Sequence, residues 1–251
     1  MNILYICKTS MSDIMVRVRF LWFIIWGCGQ LLAQEVEQDQ LMGVLVDEYM
    51  QVVEGKSILY YGNGQDSYPR AISHPYFESA EYVETRLSYN QVIYPKALLR
   101  LDLNRDELVI LSPEGRNIVL FPENVDFAEL YSRNLIFFRS DSMPGCPSTG
   151  YYFVLHSGNC VVMEKQSCTM SGKSDMSFEV EYIFKQSINY YLYKDGVYYK
   201  IKNKRTLLKA LHPYKEEINR FISANQLLFK RNAAEFLTRA VSEYEELSGL
   251  L

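Results

Sequence analysis

The sequence predicts an α+β fold: an antiparallel β-sheet (a curved sheet, sandwich or open barrel) with a short N-terminal helix and a C-terminal group of about three helices. Three observations predict it. Apolar and polar side chains alternate over residues 83–89 and again over 99–103, the period that puts one face of a strand on a core and the other in water. Short strands then follow one another at close spacing with turn residues between them and no helical stretch, which points to antiparallel neighbours. After residue 203 the period changes from two to that of an amphipathic helix.

Taken in order, Leu41, Val44, Leu45, Glu48 and Tyr49 fall at helical spacing, so residues 40–50 are predicted as the short N-terminal helix. Residues 57–61 read as a strand, and residues 62–75, with their Gly, Asn, Asp, Ser and Pro, as a loop. Strands follow over 83–89, 92–94, 99–103, 108–111, 117–121, 127–131, 135–139, 150–155, 160–165, 178–184, 190–193 and 197–201, with Lys194-Asp195-Gly196 closing the last hairpin. Asn203 is placed to cap a helix over 204–211. Pro213 suits the first position of the next helix, with Glu216 and Glu217 at its positive end. Asn232 with Glu235 three residues on resembles a capping box for a last helix, whose buried stripe is Phe236, Leu237, Ala240, Val241 and Tyr244.

The N-terminus reads as a secretory signal over residues 1–33. Arg17 and Arg19 precede the apolar run Phe20 to Trp26, and Ala33 is the small residue after which cleavage is placed. The run is far shorter than the roughly 20 apolar residues of a membrane span. Translation from Met15 would give a conventional basic start, and Cys28 offers a lipidation site, against which bulky Trp26 speaks. Residues 34–251 are then one β-rich domain with 203–248 as its helical part. The leader removes Lys8, Arg17, Arg19 and Asp13, so 26 basic and 30 acidic residues become 23 and 29, a balance of −6. Such a chain carries neither the basic footprint of a nucleic-acid partner nor the cluster that draws proteins to anionic lipid.

Three cysteines remain, in a compartment where disulfides persist. Residues 151–165 read as a hairpin, and a centre near Ser157 would place Cys146 opposite Cys168, within reach of a disulfide. Cys160 is then left over and reads as a buried small hydrophobe.

No recognisable catalytic, cofactor or metal constellation emerges. His74, His156 and His212 sit in a Pro-flanked loop, at a hairpin tip and before a proline, and read as surface or capping residues. Asp102, Asn104 and Asp106 echo the opening of a calcium loop. However, Glu107 and Pro113 stand where that loop needs Gly and Glu, so a polar hairpin turn explains them better. Gly62 and Gly64 lack the helix and lysine of a phosphate loop. Tyrosine is the compositional oddity, with 20 in the chain and the adjacent pairs 60–61, 151–152, 190–191 and 198–199. In a strand each pair should put one ring in the core and one outside, where tyrosines make good contact surfaces.

His74-Pro75-Tyr76-Phe77, the stretch from Tyr94 to Leu108 with Asp106-Glu107-Leu108-Val109, Gly150-Tyr151-Tyr152 with Leu155 and Gly158, Tyr190 to Gly196, and the ending Lys204 to Phe229 occur in that order. Together they resemble a family of uncharacterised exported proteins of Bacteroidota. The resemblance covers most of residues 55–247, implies export from a Gram-negative cell, and transfers no catalytic residue; the cysteines lie outside it. The leading expectation is an exported, non-enzymatic binding or envelope-associated protein that holds a partner protein or an apolar ligand on its sheet. Its expected address is the periplasm, with the outer membrane or the exterior as alternatives. An exported hydrolase with carboxylates assembled by folding, and a structural subunit of an envelope complex, are the competing readings.

Overall fold

The structure, a computed structural model, describes residues 58–69, 71–174 and 180–249, which fall within one compact unit. The leader, Cys28 and the N-terminal helix expected over 40–50 lie outside the described residues. The class is α+β, as the periodicity predicts: among the described residues, eleven strands form one antiparallel sheet, followed by three α-helices. The strands are β1 (Asn63–Gly64), β2 (Val83–Tyr89), β3 (Val92–Asp102), β4 (Glu107–Leu111), β5 (Asn117–Val119), β6 (Val125–Leu130), β7 (Arg133–Phe138), β8 (Gly150–Ser157), β9 (Val161–Ser174), β10 (Val180–Lys194) and β11 (Val197–Ile201). Their order across the sheet is β1-β5-β4-β3-β2-β6-β7-β8-β9-β10-β11. The helices are α1 (Lys204–Ala210), α2 (Lys215–Ala224) and α3 (Ala233–Ser248).

The sheet curls on itself. Cys168 N on β9 donates to Leu103 O beyond the end of β3, although four strands separate β3 from β9 in the sheet. Beside it, Lys165 Nζ on β9 donates to the Asp106 carboxylate at the β3–β4 turn (2.5 Å) and to Tyr151 O (3.0 Å). Gly150 makes room for that ion pair: its φ is 151°, and a Cβ there would overlap the Asp106 carboxylate and come within 2.6 Å of Lys165 Nζ. The concave side is filled by the protein's own side chains, among them Leu87, Leu99, Leu108, Ile110, Leu135, Tyr151 and Phe153.

Several local expectations change. Residues 58–60 form a short 3-10 helix rather than a strand. From residue 180 on, the strands expected over 178–184 and 190–193 are one long β10, and those expected at 92–94 and 99–103 fall in one β3 that ends at Asp102. Pro95 is tolerated inside β3 because it falls where the β2–β3 register slips: Thr85 faces Ala97, but Leu87 faces Tyr94. Such a bulge, lacking a ladder bond, is where a strand can hold proline.

The expected disulfide is not formed; Cys146, Cys160 and Cys168 are free. The hairpin register is the reason. Phe153 faces Glu164 and Val154 faces Met163, so continuing the ladder would set Cys168 opposite Thr149 rather than Cys146. Cys146 lies in the turn before β8, where its sulfur accepts from Asp141 N (3.3 Å), whereas the Cys168 thiol faces Pro75 O (3.6 Å). Cys160 is buried, as expected for a small hydrophobe, and burial pushes its thiol up to about 11.

The Tyr151–Tyr152 pair also departs from expectation, since both rings are buried. Tyr151 points into the concave core, while Tyr152 on the opposite face lies against Phe138, Tyr191 and Lys165. Both faces of the sheet are therefore covered at this point.

The helical unit follows its caps. Asn203 Oδ1 accepts from Thr206 N (3.0 Å) and Thr206 Oγ1 accepts from Asn203 N (3.1 Å), a reciprocal box at the start of α1. Asn232 Oδ1 accepts from Glu235 N (3.1 Å) at the start of α3, which ends at Gly249 with φ 67°. Pro213 does not enter α2, which begins at Lys215 with Tyr214 as its N-cap. Leu207, Leu211, Ile218, Ile222, Phe236, Leu237 and Val241 pack with Cys160, Val162, Leu192 and Ile201 of the sheet into a second core. Replacing Asn203 or Asn232 by Ala should cost about 1 kcal/mol each. The effect should appear as a lower urea midpoint at unchanged slope.

Candidate functional site

The site is built around a carboxylate that the alternation placed on the water face. Asp102, at the end of β3, is 0% exposed because the loop over residues 65–76 folds across it. Its charge is met by four donors. Tyr68 OH bonds it at 2.8 Å, Gln65 Nε2 at 3.0 Å, and the backbone N–H groups of Asn104 and Arg105 at 2.9 and 3.0 Å. A buried carboxylate is tolerable only when its lone pairs are filled in this way.

Arg100, two residues earlier on the same face, is held from both sides. Its guanidinium lies 3.8 Å from the ring centre of Tyr76 and 4.3 Å from that of Tyr82. Nη1 donates to Ala80 O and Nη2 to Gln65 Oε1, both at 3.0 Å. Gln65 thus ties Arg100 to Asp102 through its two ends. Nε is buried without a hydrogen-bond partner among the described residues, and so is Nδ1 of His74, whose ring stacks on Tyr76. Arg105 covers Tyr68 at 4.1 Å and donates to Asp66 O (2.5 Å). Burial raises the hydroxyl pKa of Tyr76 and Tyr82, against the pull of Arg100, and raises Tyr68 further with the help of its bond to Asp102.

These groups bound a cleft of about 320 Å³ between the loop over 65–76, β3, the start of β5 and Phe184 of β10. That volume is at the lower end of the range for small-molecule sites. Ser73 braces the far wall by accepting from Phe184 N (2.8 Å), and Asn117 Oδ1 accepts from Tyr82 OH (2.8 Å).

A second polar cluster joins the two cores. Glu245 of α3 is 1% exposed. Its carboxylate accepts from Cys160 N (2.6 Å) and shares a hydrogen bond with His156 Nε2 (2.8 Å). Gly158 leaves room for the carboxylate: a Cβ there would lie 2.6 Å from Oε2. His156 is therefore not a surface residue of the hairpin tip, as expected, but half of a buried dock. Ser242 Oγ lies 3.5 Å from its Nδ1, which sets serine, imidazole and acid in the order of a hydrolytic triad. The long first contact, and the backbone N–H held by the acid, suit a dock for α3 better than a nucleophile.

His212 is exposed beside Pro213. Among the described residues, no group of three or more His, Cys, Asp or Glu could hold a metal ion, and no helix is long and apolar enough to cross a membrane. Asp106, grouped by sequence with Asp102 and Asn104, turns instead toward Lys165; Asn104 joins the site by donating to Tyr68 OH (3.2 Å). Arg100 escaped the sequence reading as an ordinary outward position of an alternating strand, and Asp102 was read as part of a polar hairpin turn. The only signal was their nearness to the Tyr- and His-bearing loop that also carries His74-Pro75-Tyr76.

Compared with known proteins, the chain matches no family model, no curated protein and no solved structure at a significant level.

Proposed function

We propose that this is an exported, non-enzymatic binding protein and that it holds its ligand in the cleft walled by Tyr68, Tyr76 and Arg100. One observation carries the reading: a cationic side chain stands in a cleft of ligand size, its plane fixed between two rings, with no carboxylate of the described residues at ion-pair distance. Binding sites are built from such preorganised polar groups in a concave, partly aromatic setting. The concave face of the sheet is already filled by the core, which favours a ligand in this polar cleft over an apolar one inside the curl. Export is supported by the leader, with its basic residues, apolar run and Ala33, and by the resemblance to exported Bacteroidota proteins; the periplasm is the address that fits both.

The hydrolase reading has one facing pair of acids, Asp102 and Glu107, directly opposed across β3 and β4. Burial, helped by Asp102, raises the Glu107 pKa. But Asp102 is saturated by its four donors, and the acid on the cleft's lining is Asp66. The pair therefore serves the binding reading better than catalysis.

Native mass spectrometry of the protein isolated from its own cell envelope tests the proposal. The expected result is a small molecule retained by the wild type and lost from Arg100→Gln. A bare chain in every preparation, or equal retention by the variant, would count against it. N-terminal sequencing of the same material should begin at Gln34.

A further inference from the structure

We propose that the ligand is a small carboxylic acid, bound as its carboxylate opposite Arg100; this deepens the reading of the cleft as the binding site and rests on it. The acceptors around the cleft are largely consumed by the framework. Both Asp102 oxygens are filled, Gln65 Oε1 accepts from Arg100, Asn117 Oδ1 accepts from Tyr82, and Ser73 Oγ accepts from Phe184 N. The donors are not. Arg100 commits one hydrogen from each terminal nitrogen and buries Nε, leaving one hydrogen on each of Nη1 and Nη2 for a ligand. The Asn117 amide and the Ser73 hydroxyl keep hydrogens as well. Apart from Asp66 at its exposed rim, the wall offers free donors rather than free acceptors, which selects a ligand that brings acceptors.

Charge makes the acceptor an anion. Arg100 is stacked and half-buried, so its cation is removed from much of its hydration, and no described carboxylate neutralises it directly. Three acids lie in the surroundings. Asp102 is spent on its own donors, Asp66 stands at the exposed rim beside Arg105, and Glu107 lies outside the lining. The rings of Tyr76 and Tyr82 hold the guanidinium, and its planar fork pairs with two oxygens of one acid group, carboxylate or phosphate, which the two arms of the test separate.

The test is a titration of the purified protein, followed by backbone NMR, with glucuronate and with glucose, which share a ring and differ in the carboxylate. Inorganic phosphate and sulfate form a second arm. Glucuronate should shift the amides of Ser73 and Asn117, bind about tenfold or more tightly than glucose, and weaken with added salt. Arg100→Gln should abolish the difference between the two sugars, and Arg100→Lys should restore part of it. Because Arg100 also braces the loop, Asn117→Ala at the exposed rim serves as a second variant, expected to weaken glucuronate several-fold with the fold intact. Equal binding of glucose and glucuronate in the cleft would overturn the acid while leaving the binding-site reading standing. Tighter binding of phosphate or sulfate than of glucuronate would overturn the carboxylate assignment in the same way. No shift at the cleft with any probe, together with a bare chain from the envelope, would overturn both.

Discussion

Replacing Glu245 by Ala should destabilise the protein by about 1–3 kcal/mol, the range for leaving a buried hydrogen-bonding group without its partner. The carboxylate joins α3 to the β8–β9 hairpin through hydrogen bonds at both of its oxygens. Its loss strands the Cys160 N–H in a buried position and leaves His156 without its acid. An unmet donor of this kind carries its full desolvation cost. Gln at the same position keeps the shape and one acceptor, so Glu245→Gln should cost less than Ala. Gly158→Ala should also destabilise, because its added methyl and the carboxylate cannot share the space. Urea midpoints measure the loss, and hydrogen exchange should show α3 opening more readily in the variant. An unchanged midpoint in Glu245→Ala would show that apolar packing alone holds the helical unit.

The second large effect is expected in alkali. Burial raises several tyrosine hydroxyls: Tyr152 and Tyr190 of the sheet up to about 12, with Tyr151 and the loop residue Tyr68 higher still. The buried thiols of Cys160 and Cys168 are each pushed up to about 11. In the unfolded chain these groups lose their protons near 10 and 9. Below those values both states are protonated and the contribution to stability is complete. Above them the unfolded chain binds fewer protons than the folded one, so stability falls as pH rises toward the folded values. A tenfold difference in proton affinity is about 1.4 kcal/mol per group, and several groups act together. Lys165 opposes the trend, since burial lowers its pKa and a rising pH relieves that strain, but it is one group against many. Thermal midpoints should stay nearly flat from pH 7 to about 9 and then fall steeply, with the tyrosinate absorbance of the buried rings appearing together with loss of the β-sheet signal. Full tyrosinate absorbance near pH 10, beyond the share of exposed rings such as Tyr61 and Tyr131, with the sheet intact would contradict the burial of these rings.

What the sequence disclosed follows from where the determining physics is local. The alternation over β2 and β3, the turn at Asp195-Gly196 and the caps Asn203 and Asn232 are decided by neighbours a few residues away, and all are found in place. Register is decided by bulges, which leave little trace in a pattern of polar and apolar residues. The slip between Val154 and His156 belongs to the same hairpin whose ladder separates Cys146 from Cys168. The candidate site was least legible. Asp102 and Arg100 look like solvated positions until a loop about 30 residues earlier covers them, and His156 looks like a hairpin tip until Glu245, 89 residues later, reaches it.

The most direct test of the account is a crystal structure of the protein taken from its native envelope without denaturation. The account predicts density for a bound small acid between the loop over 65–76 and Phe184, with its oxygens against Arg100. A cleft holding solvent alone, or a ligand seated elsewhere with Arg100 untouched, would contradict it.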